Sequence, residues 1–86
     1  MLRLKLLDSF KKDFKGLPLE IQKQTEKQLR YLVQNPRHPS LRVKKMEHPD
    51  NIWEARITKG YRLTFQIQKE ILILRKIGNH DILKNP

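Results

Sequence analysis

Four residues of types that do acid–base chemistry on a phosphate fall into one pattern. Glu54, Arg56 and Arg62 occupy the polar positions of two alternating segments, 52–58 and 61–68, and His80 follows a third, 71–77. Alternation places Trp53, Ala55 and Ile57 on one face and Glu54 and Arg56 on the other. Attack of an RNA 2′-OH on the adjacent phosphate needs a base for the 2′ proton, cations for the crowded phosphorane and an acid for the leaving 5′ oxygen. Glu or Lys serves as base. Arg offers paired N–H donors that match two phosphate oxygens, and His holds a transferable proton near neutral pH. The set requires no metal. A plainer reading stands beside it: Glu54 paired with Arg56 or Arg62 across exposed strands contributes only about 0–1 kcal/mol, and a single His beyond a strand is more often a surface or capping residue.

Charge supports the first reading. The 86 residues carry 19 Lys+Arg against 9 Asp+Glu, a net charge of +10. An excess of that size in one small domain attracts a polyanion: nucleic acid, an acidic protein or an anionic surface. Arg42, Lys44, Lys45, Arg75 and Lys76 are the cations placed to hold flanking RNA phosphates. The chain has no cysteine, so no disulfide framework or thiolate metal site is expected. His38 and His48 each precede a proline and read as turn residues. Three histidines without i, i+4 spacing make no zinc site. No Gly-rich phosphate loop, G-x-S-x-G or H-E-x-x-H motif occurs. No run reaches the ~18 apolar residues of a membrane span, and Arg3 and Lys5 break the apolar start, unlike a signal peptide.

These side chains need a scaffold. Residues 1–86 read as a single domain with a modest core, burying roughly 60–65% of the unfolded surface. Leu2, Leu4 and Leu6 alternate with Arg3 and Lys5, predicting a strand over 2–7. Asp8 or Ser9 is then expected to cap a helix whose Phe10, Phe14 and Leu17 share a face. Gly16 and Pro18 break it. A second helix is predicted over 19–34, with Ile21, Leu29, Leu32 and Val33 as its apolar stripe and Thr25 and Gln28 as polar interruptions. Lys23, Lys27 and Arg30 read as a solvated face. Asn35-Pro36 ends the helix. Residues 37–50 are loop-rich, with a short strand expected over 41–46.

Segments 52–58, 61–68 and 71–77 read as three antiparallel strands. The apolar sets 53/55/57 and 61/63/65/67 share one core only if paired residue numbers sum to an even number. A strict two-residue loop at Lys59-Gly60 breaks that parity, so a three-residue or bulged loop is predicted, with Gly60 at positive φ. The continuous run Ile71–Leu74 suits a central strand covered on both faces. Trp53 and Tyr61 belong to the core faces. Residues 79–84 are expected to form a turn of helix. The fold class is α+β: two N-terminal helices packed on one face of a small twisted antiparallel sheet, the other face partly open and basic.

The ordered set FKKDFKGL (Phe10–Leu17), LVQNP (Leu32–Pro36), HPSLRVKKM (His38–Met46), IWEARITKGYRLTF (Ile52–Phe65) and LRKIGNHDILK (Leu74–Lys84) resembles the RelE/ParE superfamily of type II toxin–antitoxin toxins over nearly the whole chain. The resemblance implies the RelE-like fold, a cytoplasmic setting, a cognate antitoxin partner and no small-molecule cofactor. RelE-like members cleave mRNA on the ribosome without metal; ParE-like members inhibit DNA gyrase. By resemblance Arg62 is the phosphate-clamping Arg, Arg56 a basic strand residue of such nucleases, and His80 the acid of His-using mRNA interferases. Glu54 stands where some carry the base. Asp81 stands where several nucleases have Arg or Tyr. The leading expectation is a ribosome-dependent mRNA endoribonuclease. The alternatives are a gyrase inhibitor or a catalytically inactive domain that binds antitoxin or another peptide.

Overall fold

The computed structural model describes residues 2–86. Strand β1 (Arg3–Leu6) leads into α1 (Asp8–Lys15) and α2 (Leu19–Gln34). A 3-10 turn (Pro39–Leu41) precedes β2 (Lys44–Lys45), β3 (Trp53–Thr58), β4 (Tyr61–Gln68) and β5 (Ile71–Asn79), and a 3-10 helix (His80–Lys84) follows. The five strands form one sheet in the order β1-β5-β4-β3-β2. The expected architecture holds: two helices lie on one face of the sheet, α1 against β5 and α2 against β3. β2 through β5 are antiparallel. β1 adds a parallel pair with β5, Arg3 opposite Ile71 and Leu6 opposite Leu74, so the sheet is mixed.

Between helices and sheet lies one core, with Phe10, Leu32, Leu41, Leu63, Phe65, Leu72 and Leu74 essentially solvent-free. Trp53 and Tyr61 pack against it half-buried, as expected. In α2 the periodicity misplaced the centre of the stripe. Thr25 and Gln28 are buried with Leu32, whereas Ile21, Leu29 and Val33 are only half-buried. Both polar side chains are satisfied: Thr25 Oγ1 donates to the Ile21 carbonyl at 2.7 Å, and Gln28 Nε2 donates to the carbonyls of Ser40 and Arg56 at 3.3 and 2.9 Å. A buried amide with both partners in reach is not a defect in the stripe.

The parity argument for the β3–β4 hairpin holds, but its details differ. From Trp53↔Phe65 to Arg56↔Arg62 the paired numbers keep an even sum, and then Thr58 pairs with Tyr61. The extra residue is Ile57, inside β3. The bulge corrects the register before the turn, so Lys59-Gly60 remains a two-residue turn and Gly60 does not adopt positive φ. Instead the Gly60 N–H donates to Thr58 Oγ1. A second register shift, at Arg75 between Thr64↔Lys76 and Phe65↔Leu74, keeps Leu72, Leu74 and Ile77 all on the core.

Asp8 and Ser9 do not cap α1; the N-cap is Leu7, without a side-chain bond. The reason is the end of β1 at Leu6, which leaves the facing edge of β5 without a partner strand. Residues from Leu7 onward fill that gap. The Leu7 N–H donates to the Leu74 carbonyl, Ser9 Oγ donates to the Arg75 carbonyl at 2.6 Å, and Asp13 Oδ2 accepts from the Ile77 N–H at 3.3 Å. Polar side chains that could cap a helix are spent on strand-edge groups that would otherwise be orphaned. The strand expected over 41–46 shrinks to Lys44–Lys45, because Leu41 closes the 3-10 turn and is buried. β5 runs two residues past Ile77, to Asn79.

Candidate functional site

The sheet face away from the helices is arranged in rows. One row reads Lys44–Glu54–Thr64–Lys76 across four strands. The next reads Arg56–Arg62–Gly78 across β3, β4 and β5. In the first row Lys44 faces Glu54, opposite charges on adjacent strands. In the second, two arginines face each other, an arrangement that destabilises a sheet unless something anionic lies between. Neither belongs to an ion pair; among the described residues the one salt bridge is His48–Asp50, at 3.8 Å.

Arg62 is held in place by its own hairpin. Its Nη1 donates to the carbonyls of Thr58, Tyr61 and Lys59 at 2.7, 3.0 and 3.2 Å. Those bonds commit one nitrogen. The Nε–H and Nη2 edge, the side-on pair that grips two oxygens of a phosphate or carboxylate, makes no hydrogen bond among the described residues. Among the described residues Arg56 makes no side-chain hydrogen bond, and it is half-buried like Arg62. Rotamer freedom is thus already spent at Arg62, which lowers the entropic cost of binding an anion there.

His80 begins the 3-10 helix and is exposed. Its neighbour Asn79 pairs with Tyr61, the residue before Arg62. The Asn79 side-chain oxygen accepts from the Asp81 N–H at 2.9 Å and fixes the start of that helix. A Cβ on Gly78 would stand 2.8 Å from Ile82 Cγ2, so the missing side chain is what admits the helix against the sheet. By strand register Arg56, Arg62 and the start of the 3-10 helix at His80 all lie toward the hairpin-turn end of the sheet, with Glu54 one row back, half-buried, between Lys44 and Thr64.

The middle of the face is covered. Thr64 is fully buried and donates to the Pro86 carbonyl at 3.2 Å. Arg75 Nε donates to the same oxygen at 3.1 Å, and its Nη1 to Gln66 Oε1 at 2.9 Å. Gln66 in turn donates to the Asp50 carbonyl at 2.7 Å. The open basic surface expected from the sequence is thus split, with the arginine row on one side of the covered strip.

A family model described as the ParE toxin of the type II toxin–antitoxin system parDE matches residues 4–82. The chain belongs to the RelE/ParE superfamily of type II toxins. No curated protein matches it significantly. Solved structures agree on the fold. A metal-bound toxin from Helicobacter pylori is 24% identical with a TM-score of 0.77, covering 94% of this chain and 97% of that one. The archaeal RelE–RelB complex of Pyrococcus horikoshii OT3 gives 19% and 0.76, covering 91% and 93%. The RelBE complex of E. coli gives 22% and 0.74, covering 92% and 96%.

On this toxin the cations expected to flank the site do not act as one group. Lys44 and Lys45 point to opposite faces; Lys45 sits opposite Trp53 with its Nζ 5.9 Å from the indole centroid. Lys76 shares the row of Glu54, while Arg75 is tied into the strip across Thr64. Arg42 stands in the left-handed region at φ 44° as the cap of the 3-10 turn. Sequence reasoning missed Lys27, whose helix face read as solvated yet borders a cleft with Arg42 and Arg56. Nothing in the periodicity of α2 signals that the 39–42 turn packs there. Among the described residues no group of three or more His, Cys, Asp or Glu forms a metal site, and no helix is long and apolar enough to cross a membrane.

Proposed function

We propose that this toxin is a ribosome-dependent, metal-independent endoribonuclease that cleaves mRNA. The observation that carries the reading is Arg56 directly opposite Arg62, with neither in an ion pair and with Arg62 locked so that its bidentate edge is free. A phosphate between the two guanidiniums cancels their repulsion and meets paired donors. In the transition state the phosphorane carries extra charge, and donors fixed beforehand stabilise it most. The 2′ oxygen attacks phosphorus as the P–O5′ bond breaks, leaving a 2′,3′-cyclic phosphate and a 5′ hydroxyl. His80 protonates the departing 5′ oxygen, and Glu54 accepts the 2′ proton. Lys44 faces Glu54 across the strands, so Glu54 is also a charge partner of β2. The partners of this reading are mRNA on the ribosome and a cognate antitoxin, in line with the RelE–RelB, RelBE and YoeB–YefM assemblies among the neighbours.

Primer extension on mRNA, with and without ribosomes, tests the proposal. Cleavage with ribosomes that Arg62→Ala and His80→Ala abolish supports it; intact message from a toxin that still arrests growth refutes it. One observation favours a second reading: the matching family description is that of ParE. A gyrase-directed toxin leaves mRNA intact and inhibits supercoiling of plasmid DNA, so the same preparation separates the two.

A further inference from the structure

β2 pairs with β3 only as far as Glu54. Beyond it, α2 and the 39–42 turn approach the free edge of β3 and leave a polar cleft of about 610 Å³, lined by Gln24, Lys27, Ser40, Arg42, Arg56 and Thr58 among others. That volume lies within the ~300–1,000 Å³ range of ligand sites. Three cations border the cleft and no carboxylate does. Among the described residues none of the three is in an ion pair. The walls are fixed: buried Gln28 ties α2 to the turn at the Ser40 carbonyl and to β3 at the Arg56 carbonyl. Arg42 holds φ 44°, ψ 48°, a backbone state that residues with a Cβ seldom adopt.

We propose that this cleft binds a phosphate of single-stranded RNA, one step along the strand from the phosphate between Arg56 and Arg62. Lys27 and Arg42 supply its charge, and Arg56 is shared with the neighbouring site. The inference rests on the nuclease reading and extends its substrate path from the sheet face over the edge of β3 onto α2. A polynucleotide fits better than an acidic peptide because of what adjoins. Pro39 and Arg42 also line a second cleft of about 520 Å³, which Trp53, Val43, Phe65 and Ile67 make largely apolar. Phosphate-binding cations beside an apolar, aromatic hollow suit a chain that alternates charged phosphates with flat bases.

The experiment titrates the full chain with a fluorescein-labelled 12-nucleotide single-stranded RNA, read by anisotropy between 50 and 200 mM salt. Quenching of Trp53, the single tryptophan, provides a label-free check. Variants are Lys27→Gln/Arg42→Gln and, with the same change in net charge, Lys11→Gln/Lys12→Gln on the exposed face of α1. Each phosphate contact on single-stranded nucleic acid contributes about 0.7 to the slope of log K against log salt. Losing two lowers that slope by about 1.4, so wild type loses about sevenfold more affinity over this fourfold salt range than the cleft variant does. The α1 variant keeps the wild-type slope. Equal slopes in wild type and the cleft variant overturn the cleft and leave the nuclease reading standing. An equal fall in both variants also overturns it, since the effect is then net charge alone. No RNA binding by wild type overturns the cleft proposal, while the ribosome-dependent reading is decided separately by primer extension. Unchanged RNA binding with lost antitoxin binding assigns the cleft to protein and overturns the proposal. Lys27→Gln alone, on a solvent-exposed position of α2, keeps the test valid if the double variant does not fold; its slope falls by about 0.7.

Discussion

Arg56→Gln separates function from stability most cleanly. Arg56 and Arg62 are directly opposed on adjacent strands, so their Cβ atoms stand about 4.5–5.5 Å apart, and like charges so placed destabilise a sheet by about 0.2–1 kcal/mol. Both side chains are half-buried, and neither is relieved by an ion pair within the described residues. Arg62 is the poorer probe, because its Nη1 also braces three carbonyls around the hairpin turn. Arg56 uses only its backbone, whose carbonyl accepts from Gln28 in any variant. Replacing it with Gln removes the repulsion and preserves most of the stem. Taking about 0.5 kcal/mol from the middle of that range, and 4–8 °C per kcal/mol for a domain of this size, Tm rises by about 2–4 °C at low salt. The gain shrinks toward zero at 1 M salt, where the Debye length is about 3 Å. RNA cleavage falls by about 10²–10³, as for loss of one transition-state donor. The assay is thermal unfolding by circular dichroism at 20 mM and 1 M NaCl beside primer extension. A lower Tm at low salt, or a gain that salt does not remove, refutes the claim that the arginine row carries unrelieved repulsion.

Other perturbations test the supports of the site. His80→Gln removes the proposed acid while leaving β5 intact: cleavage is lost with Tm changed by no more than about 2–4 °C, since exposed positions rarely contribute more than ±0.5 kcal/mol. Gly78→Ala drives a methyl toward Ile82 Cγ2 and costs about 1–3 kcal/mol in urea denaturation, much of it recovered in Gly78→Ala/Ile82→Ala; wild-type stability in the single variant contradicts the close approach. Gln28→Leu strips a donor from two carbonyls, Ser40 and Arg56, at about 1–3 kcal/mol, read in the same denaturation series.

Much of the scaffold was legible because its punctuation is local. Pro18 and Asn35-Pro36 bracket α2 at its observed limits, 19–34. The even-sum rule located an irregularity in the β3–β4 hairpin without any structure, because a one-residue slip turns every side chain of a strand to the other face. What stayed hidden depends on distant contacts. Asp8 and Ser9 look like helix caps until the β1-side edge of β5 is known to lack a strand partner beyond Leu74, more than 60 residues away in the chain. Thr25 and Gln28 look like flaws in an apolar stripe until Gln28 is seen to bond the 39–42 turn and β3. Glu54, Arg56 and Arg62 share a face, as alternation required, yet nothing local indicated that Pro86 would cross the sheet above Thr64. Lys44 and Lys45 are neighbours in sequence, and their separation onto two faces follows only once they pair with Glu54 and Trp53.

Why two arginines face each other is answered by the row beside them. The same sheet pairs Lys44 with Glu54 one step away, so the fold accommodates an acid opposite a cation on this face. Solubility needs no like pair either, since mixed signs serve a surface as well. The arginine row also ends on Gly78, where any larger residue would meet Ile82. That contact seats the 3-10 helix, and the helix begins at His80. The two oddities of one row, a repulsive pair and a missing side chain, thus have one effect: they bring two arginines, neither in an ion pair among the described residues, and the exposed His80 to the same end of the sheet. A row selected for stability alone would replace either arginine with a neutral or acidic partner. An anion in the row would cancel the repulsion, and the stability gained by emptying the row of charge measures how large that repulsion is.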